Sequence, residues 1–436
     1  MRRVAKLSAA CIATAALALT ATACGSTSSD SNSSPSTSSS GGGKGIKIGL
    51  AYDVGGRGDR SFNDSAARGA DQAEKEFGGS VKELTAKTSD TEADREQRLT
   101  DLASAGYNPI VAVGFSYATS VDKVAKQFPK VSFGLIDSVA TSPNVDSITF
   151  TEEQGSYLAG VAAALKTKKD HVGFIGGVDT PLIKKFAAGY VQGVKDTNSK
   201  VKVDVQYLTH GSDLSGFSSP DKGKEAASGM LDNGADVIYA AAGSSGNGSI
   251  EAVHGVKGAW AIGVDSDQYN IPGLAAYKTS ILTSMVKNVD VGVYDFVKSV
   301  HDGKPLTGNQ VYSLAKGGVG LATSGGYIDD IKAQLDAAKK KIVVGITGAS
   351  GAVYAKRLLH HLKERERAAG DVEVGVCVSS TAPEVWALEC GGDLREEIPF
   401  PSWGMRDYKA PFASGSGSVV ELSAIYFDVI KDRLYT

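Results

Sequence analysis

Cysteine, histidine and net charge are all scarce in this chain, and each scarcity excludes a class of protein. The 4 cysteines, Cys11, Cys24, Cys377 and Cys390, have no spacing typical of a disulfide scaffold or a zinc site. Lys and Arg number 46 against 49 Asp and Glu, and the net charge of −3 provides no basic surface for nucleic acid. We therefore expect no metal and no nucleic-acid partner. Hydrophobic residues, in contrast, make up 42% of the 436 residues, which is enough for buried cores in two or three domains.

Residues 1–23 have the layout of a secretory signal. Basic residues near the N-terminus precede an apolar run, Leu7–Ala23, that is too short to span a membrane comfortably. The run ends in Ala21-Thr22-Ala23-Cys24-Gly25, which resembles a bacterial lipobox and implies lipid attachment at Cys24. An ordinary secretory signal with an incidental cysteine is the alternative.

Residues 24–45 are almost entirely Ser, Thr, Gly, Asn and Asp, a composition that buries nothing and predicts a flexible tether. A lipidated cysteine followed by a tether predicts a globular protein held at the extracytoplasmic face of the cell membrane.

Residues 46–340 alternate between short β-branched runs and helical patterns, which indicates an α/β fold with mainly parallel sheets. The predicted strands are 46–52, 109–115, 131–136, 172–175, 201–207, 237–241 and 260–264. The predicted helices are 65–76, 94–105, 120–127, 154–165, 183–197, 222–233 and 289–301. The span is long for one sheet, so we expect two doubly wound lobes with a ligand cleft at the carboxyl ends of the strands.

Carboxylates, amides and aromatic rings follow several of these strands. They are the groups that a polar ring compound with hydroxyls requires, because carboxylates accept hydrogen bonds and rings stack on a flat face. The glycine-rich segment 243–248 lacks the GK[ST] ending of a phosphate loop, and the region shows no Ser/His/Asp set. The pattern therefore favours binding over catalysis.

Six segments of this region resemble the basic membrane protein family, the nucleoside-binding lipoproteins of ABC importers: DVGGRGDRSFND (53–64), TEEQGSYLAGVAAAL (151–165), GFIGGVDTP (173–181), PDKGKEAA (220–227), GADVIYAAAGSSGNG (234–248) and WAIGVDSDQ (260–268). The resemblance implies a type I periplasmic-binding fold, a purine nucleoside ligand and a permease partner. We add Phe217 to the residues that the resemblance implies, as a second stacking ring opposite Phe62. The expected contact residues are then Asp53, Phe62, Asn63, Asp137, Phe217, Gly243, Asp265 and Lys287. The resemblance implies that Asp265 binds the ribose hydroxyls.

Each of these residues also has a purely structural interpretation. Asp53 and Asp265 are typical of turns or helix caps, Phe62 of a helix anchor, and Gly55 and Gly56 of turn geometry.

Residues 341–416 begin a different pattern. The segment opens with a predicted strand, 341–346, followed by a Gly/Ser-rich turn and a helical pattern from residue 354. Three of its sequence stretches, KIVVGITGASGAVYAKRLL, VEVGVCVSSTAPEVWALE and YKAPFASGS, resemble the start of flavin prenyltransferases. The resemblance implies a partial flavodoxin-like segment in which Ser350, Ser379 and Ser414 contact FMN and Glu389 is an active-site acid. The catalytic half of that family is absent, so we expect no enzyme activity and assign no cofactor. Cys377 lies on an apolar strand, where packing is favoured over a nucleophilic role.

Residues 417–436 read as a short linker and an amphipathic helix, with a resemblance to a piece of isoleucyl-tRNA synthetase. We expect the chain to be a fusion, natural or artificial, in which 46–340 is the functional unit. The alternatives are an FMN-binding module as the working part, or a tail that affects only solubility or degradation.

Overall fold

The computed structural model describes residues 45–339 and two further strands, 341–346 and 373–378. The predicted signal, Cys24 and the tether lie outside the described residues. The predicted flavin contacts Ser350, Ser379 and Ser414, the acid Glu389 and the helix after residue 417 lie outside them as well.

The described elements alternate between strand and helix. The strands are β1 (Ile46–Val54), β2 (Gly79–Ala86), β3 (Ile110–Ala112), β4 (Phe133–Ile136), β5 (Val145–Phe150), β6 (His171–Asp179), β7 (Lys202–His210), β8 (Val237–Ala241), β9 (Trp260–Asp265), β10 (Ile281–Lys287), β11 (Gly308–Tyr312), β12 (Val319–Leu321), β13 (Lys341–Ile346) and β14 (Glu373–Val378). The helices are α1 (Phe62–Phe77), α2 (Glu92–Ser104), α3 (Ala118–Gln127), α4 (Glu152–Lys166), α5 (Pro181–Thr197), α6 (Pro220–Asp232), α7 (Ser245–His254), α8 (Val289–His301) and α9 (Lys332–Lys339).

Lobe 1 is built on a parallel sheet in the order β11-β5-β4-β3-β1-β2. Helices α1 and α8 pack against each other in this lobe, as do α2 and α3. From Ile48 onward every residue of β1 is buried, as is typical of a parallel strand with both of its faces covered.

Lobe 2 repeats this plan with the order β12-β10-β9-β8-β6-β7, in which only the edge strand β12 runs antiparallel to its neighbour. Glycines allow α4 and α5 to pack closely in this lobe. A Cβ on Gly193 would lie 2.0 Å from the Tyr157 carbonyl oxygen, and one on Gly160 would lie 2.1 Å from that of Tyr190.

The chain crosses between the lobes three times, after β5, after β10 and between β11 and β12. These crossings are hydrogen-bonded to each other. The Asn288 amide donates to the Gly318 carbonyl at 2.9 Å, and the Thr151 amide donates to the Tyr312 carbonyl at 3.3 Å. They form a common hinge at the base of the cleft.

The predicted two-lobed α/β architecture is confirmed, and each predicted strand and helix of the first 301 residues overlaps an observed one. The sequence prediction missed β2, β5, β10, β11, β12 and the helices α7 and α9. In the tail, the predicted strand 341–346 is observed as β13, which pairs in parallel with β14 from Lys341 opposite Glu373.

Candidate ligand-binding site

A cavity lies between the lobes, where the carboxyl ends of both sheets meet. It has about 540 Å³ of space between its lining atoms, a volume that includes space open to solvent. All eight predicted contact residues line it: Asp53, Phe62, Asn63 and Asp137 from lobe 1, and Phe217, Gly243, Asp265 and Lys287 from lobe 2. Their role in binding stays a prediction.

Asp53 and Asn63 are joined at the lobe 1 wall of the cavity. The Asp53 amide donates to Asn63 Oδ1 at 3.2 Å, and the Asp53 carboxylate accepts from the Val54 amide at 2.8 Å and from Ser116 Oγ at 3.4 Å. Burial nevertheless raises the pKa of Asp53 to about 6.

Asp59 is a lining residue that was not predicted. Its carboxylate accepts hydrogen bonds from the amides of Ser61 (2.9 Å), Asn63 (2.8 Å) and Asp64 (3.1 Å), which are free donors at the start of α1. Asn63 Nδ2 also donates to it, at 3.1 Å. Asp59 therefore orients Asn63, and burial raises the pKa of Asp59. The sequence signal that could have identified Asp59 is the position of an acidic residue just before a helix.

Asp137 and Asp265 occupy equivalent places in the two lobes. Asp137 comes directly after β4 and Asp265 is the last residue of β9, and each adopts a left-handed backbone conformation, with φ of +67° and +62° respectively, which is uncommon outside glycine. Asp265 Oδ2 accepts a hydrogen bond from Ser61 Oγ of the opposite lobe at 2.6 Å. Burial raises the pKa of each aspartate to about 6.

Lys287 lies at the base of the cavity beside two carboxylates. Its Nζ is 2.6 Å from Asp137 Oδ2 and 3.4 Å from Glu152 Oε1, and Lys185 Nζ is 3.5 Å from Glu152 Oε2. Burial acts to lower the pKa of Lys287, but the surrounding carboxylates outweigh it and raise the pKa. Both lysines are thus charged and compensated, and Lys287 does not supply an unpaired positive charge to the cavity.

Aromatic rings form the apolar part of the cavity. Phe62 and Phe186 lie 5.1 Å and 5.5 Å from Lys287 Nζ, ring centroid to nitrogen, a geometry that stabilises a buried cation. Phe217 has its centroid 6.5 Å from that of Phe115, edge to face. Gly243 has φ +54°, and a Cβ on it would lie 2.8 Å from the Phe217 carbonyl oxygen, so only glycine lets the two backbones approach this closely. Stacking of Phe217 opposite Phe62 on a ligand remains a prediction.

The electrostatic character of the cavity is negative. Four aspartates line it (Asp53, Asp59, Asp137 and Asp265) together with one lysine. Asp137 Oδ1 is buried and has no hydrogen-bond partner among the residues that the structure describes. Such a site can accept hydrogen bonds from hydroxyl and amino groups, and it disfavours a phosphate.

Two of the structural interpretations can be examined directly. Gly55 (φ +94°) and Gly56 (φ +57°) both have turn conformations that favour glycine, and a Cβ on Gly56 would lie 2.5 Å from the Thr85 side chain. Turn geometry therefore explains these two glycines. Phe62 is the first residue of α1 but is only partly buried, and its ring lines the cavity.

Within residues 45–339 no helix is both long and apolar enough to cross a bilayer. No group of three or more His, Cys, Asp or Glu residues with the geometry of a metal site occurs in that part of the chain.

Two parallel-sheet lobes, three hinge crossings and a polar cleft define a two-lobed substrate-binding protein. Residues 46–349 match the sequence model of the family described as "ABC transporter substrate-binding protein PnrA-like", and the chain belongs to that family. The predicted class is thus confirmed, and this family consists of binding proteins rather than enzymes.

Relatives of known sequence agree with this assignment. The chain is 36% identical over 322 residues to the "CD4+ T-cell-stimulating antigen" of Listeria monocytogenes, covering 69% of this chain and 87% of that protein. It is 35% identical over 319 residues to the "ABC transporter nucleoside-binding protein BmpA" of Lactococcus lactis, covering 69% and 88%. Among solved structures, an ABC transporter solute-binding protein from Aeropyrum pernix superposes with a TM-score of 0.57 at 33% identity, over 67% of this chain and 80% of that one.

Proposed function

We propose that the chain captures a purine nucleoside between its lobes and delivers it to an ABC permease. The observation that carries this proposal is the lining of the cavity, which combines four aspartates with phenylalanine rings and a lysine that is already paired. A nucleoside supplies a flat aromatic base for the rings and hydroxyl and amino donors for the carboxylates.

The proposed roles follow from position. Asp265, with one oxygen held by Ser61 at 2.6 Å, offers its other oxygen to the ribose hydroxyls. Phe62 and Phe217 stack on the base, and Asp53 and Asn63 contact the ligand from lobe 1. Asp137 Oδ1, buried without a described partner, accepts a ligand donor. Gly243 and Lys287 complete the contacts.

The negative lining favours a nucleoside over a nucleotide. A phosphate would be placed among carboxylates in a partly buried cavity, where like charges repel more strongly than in water. The related protein from Lactococcus lactis is named as nucleoside-binding, which supports the same ligand class.

The proposal includes the location of the protein. The basic N-terminal residues, the apolar run and Cys24 favour a lipid anchor at the extracytoplasmic face, with residues 25–45 as the tether. We propose domain limits of 46–340 for the binding unit, 341–416 for the partial flavin prenyltransferase-like segment and 417–436 for the last segment.

Native mass spectrometry of the chain from Gly25 onward, purified without added ligand, tests the ligand class. We expect a retained nucleoside mass that is lost on unfolding and refolding. Calorimetry of the refolded chain with adenosine, guanosine, inosine, cytidine, uridine and AMP should then show binding of at least one purine nucleoside and none of AMP. Binding of pyrimidines alone, or of no nucleoside, would contradict the proposal. A retained FMN mass with yellow absorbance would instead favour the enzyme alternative for 341–416.

A further inference from the structure

Three successive backbone carbonyls of lobe 1 accept hydrogen bonds from three side chains of lobe 2. They belong to the segment Asp59–Ser61, which we call the bridging segment. Its first carbonyl accepts from Asn247 Nδ2 at 3.1 Å, its second from Gln268 Nε2 at 2.9 Å, and its third from Ser266 Oγ at 2.9 Å. The donors come from α7 and from the chain after β9, so the segment touches lobe 2 at separate places.

The bridging segment is held in one conformation by its own lobe. Arg60 has φ +61°, and the Asp59 carboxylate fixes the amides on either side of Phe62. The Arg60 amide donates to Asp64 Oδ2 at 3.0 Å. The carbonyls are therefore oriented toward lobe 2 by contacts that do not depend on lobe 2.

Gln268 is oriented equally firmly from the other side. The Gln268 side chain is buried, and its Oε1 accepts a hydrogen bond from the Val264 backbone amide at 3.1 Å. The Gln268 backbone amide donates to Ser284 Oγ at 3.1 Å. With the oxygen occupied inside lobe 2, the NH₂ group is left to face the Arg60 carbonyl. A pre-oriented donor and a pre-oriented acceptor lose little conformational entropy when they meet.

We propose that the bridging segment, Asn247 and Gln268 form a latch that maintains a closed population of the two lobes before any ligand binds. Asn247 and Gln268 are positioning residues, since neither is among the residues that line the cavity. Each of these hydrogen bonds joins opposite lobes and exists only when the lobes meet. The existence of the latch does not depend on the proposed function. Its expected consequence, slower entry and release of the nucleoside, does rest on that function.

The test measures lobe separation without ligand. Spin labels are placed at the exposed positions Lys126→Cys in lobe 1 and Lys257→Cys in lobe 2, in the chain from Gly25 onward with its two cysteines, Cys377 and Cys390, replaced by serine. Electron–electron double resonance of this chain should show a closed distance population. Gln268→Glu keeps the acceptor for the Val264 amide and replaces the donor with an oxygen that faces the Arg60 carbonyl, so the closed population should fall.

Asn247→Asp is a second variant of the same kind and keeps the test informative if Gln268→Glu does not fold. The matched control is Asn144→Asp. Asn144 Nδ2 donates to the carbonyls of Ala125, Phe128 and Val131 inside lobe 1, at 3.1, 3.2 and 2.8 Å. This control should lower the melting temperature and leave the lobe separation unchanged.

Kinetics supply the second readout. With adenosine and guanosine as probes, the double variant Gln268→Glu with Asn247→Asp should release ligand roughly tenfold faster, as expected for the loss of one or two hydrogen bonds. A ligand-free chain that is entirely open, or variants whose separation equals that of the parent, would overturn the latch. Failure of every purine nucleoside, inosine included, to bind would contradict the proposed function alone, because the distance measurement does not need a ligand.

Discussion

Lys287 Nζ lies 2.6 Å from Asp137 Oδ2, and this contact joins the last residue of β10 in lobe 2 to the residue after β4 in lobe 1. The pair stands beside the hinge crossings and at the base of the cavity. It is almost completely buried, with side-chain exposures of 2% and 4%. The charges of Lys287 and Asp137 therefore stabilise the contact between the two lobes and also contribute to the polarity of the ligand site.

Lys287→Met should strongly destabilise the protein. The substitution removes the cation from a buried carboxylate, and breaking a buried pair from one side costs about 3–5 kcal/mol. Urea unfolding of the variant measures this loss. Lys123→Met, which removes the exposed partner of Glu96, is the control and should leave the stability nearly unchanged, because exposed ion pairs contribute little. Equal stabilities for the two variants would show that the buried pair is not needed.

Asp265→Ala should weaken nucleoside binding by about 2–3 kcal/mol, because it removes a buried acceptor for the ribose hydroxyls. Calorimetry with the nucleoside retained in mass spectrometry measures the change. Asp232→Ala, at an exposed end of α6 in the same lobe, is the control and should bind normally. Unchanged affinity in Asp265→Ala would remove this residue from the binding site.

Nucleoside affinity should fall as the pH decreases from 7.5 to 5. Burial raises the pKa values of Asp53, Asp137 and Asp265 to about 6, so these groups lose their charge within that range. An ionised carboxylate accepts hydrogen bonds better than a protonated one, and each coupled group can change affinity by up to about tenfold per pH unit. Titration calorimetry across this range gives the slope, which should be shallower in Asp265→Asn. A flat profile would contradict carboxylate contacts to the ligand.

Asp146 should make the fold less stable as the pH rises from about 4 to 7. This β5 residue is fully buried, both of its carboxylate oxygens lack a described partner, and burial together with the Asp295 charge raises its pKa to about 7. The folded state therefore retains a proton that the unfolded state releases near pH 4, and the cost is complete above pH 7.

Asp146→Asn removes this titration while preserving the shape of the side chain. We expect it to stabilise the protein at pH 8 by about 2–4 kcal/mol and to change little at pH 4. Chemical unfolding at both pH values measures the difference, with the exposed Asp213→Asn as a control. A variant that is less stable than the parent at pH 8 would mean that Asp146 is ionised and held by a favourable interaction.

The sequence located the cavity because parallel strands end at a common edge. Residues at the carboxyl ends of β1, β4 and β9 had to lie near one another once the two-lobed fold was assumed. The sequence could not predict the Lys287 pair in the same way, since its members are 150 positions apart and meet only when the lobes are joined. Nor did it identify the ring of Phe186, an aromatic residue with no distinguishing local pattern.

The missed elements have local causes. In β10, Thr283 and Ser284 interrupt the apolar run, yet both are buried and hydrogen-bonded, to the Ala322 carbonyl and the Gln268 amide respectively. In α7, Gly246 and Gly248 lower helix propensity. Gly248 is nevertheless needed there, because a Cβ on it would lie 1.9 Å from the Pro220 carbonyl oxygen of α6. Tertiary contacts therefore outweigh the local signal in both places.

The three crossings at the hinge also determine the order in which the molecule can be completed. Lobe 1 receives its helix α8 and its edge strand β11 only after the residues of β6–β10 have been synthesised. Until then β5 is an open strand edge, which is a site for mispairing. A chain shortened to end before residue 289 would lack parts of both lobes at once. Neither lobe of this protein can therefore be expressed, or exchanged with that of a relative, as one continuous segment of the chain.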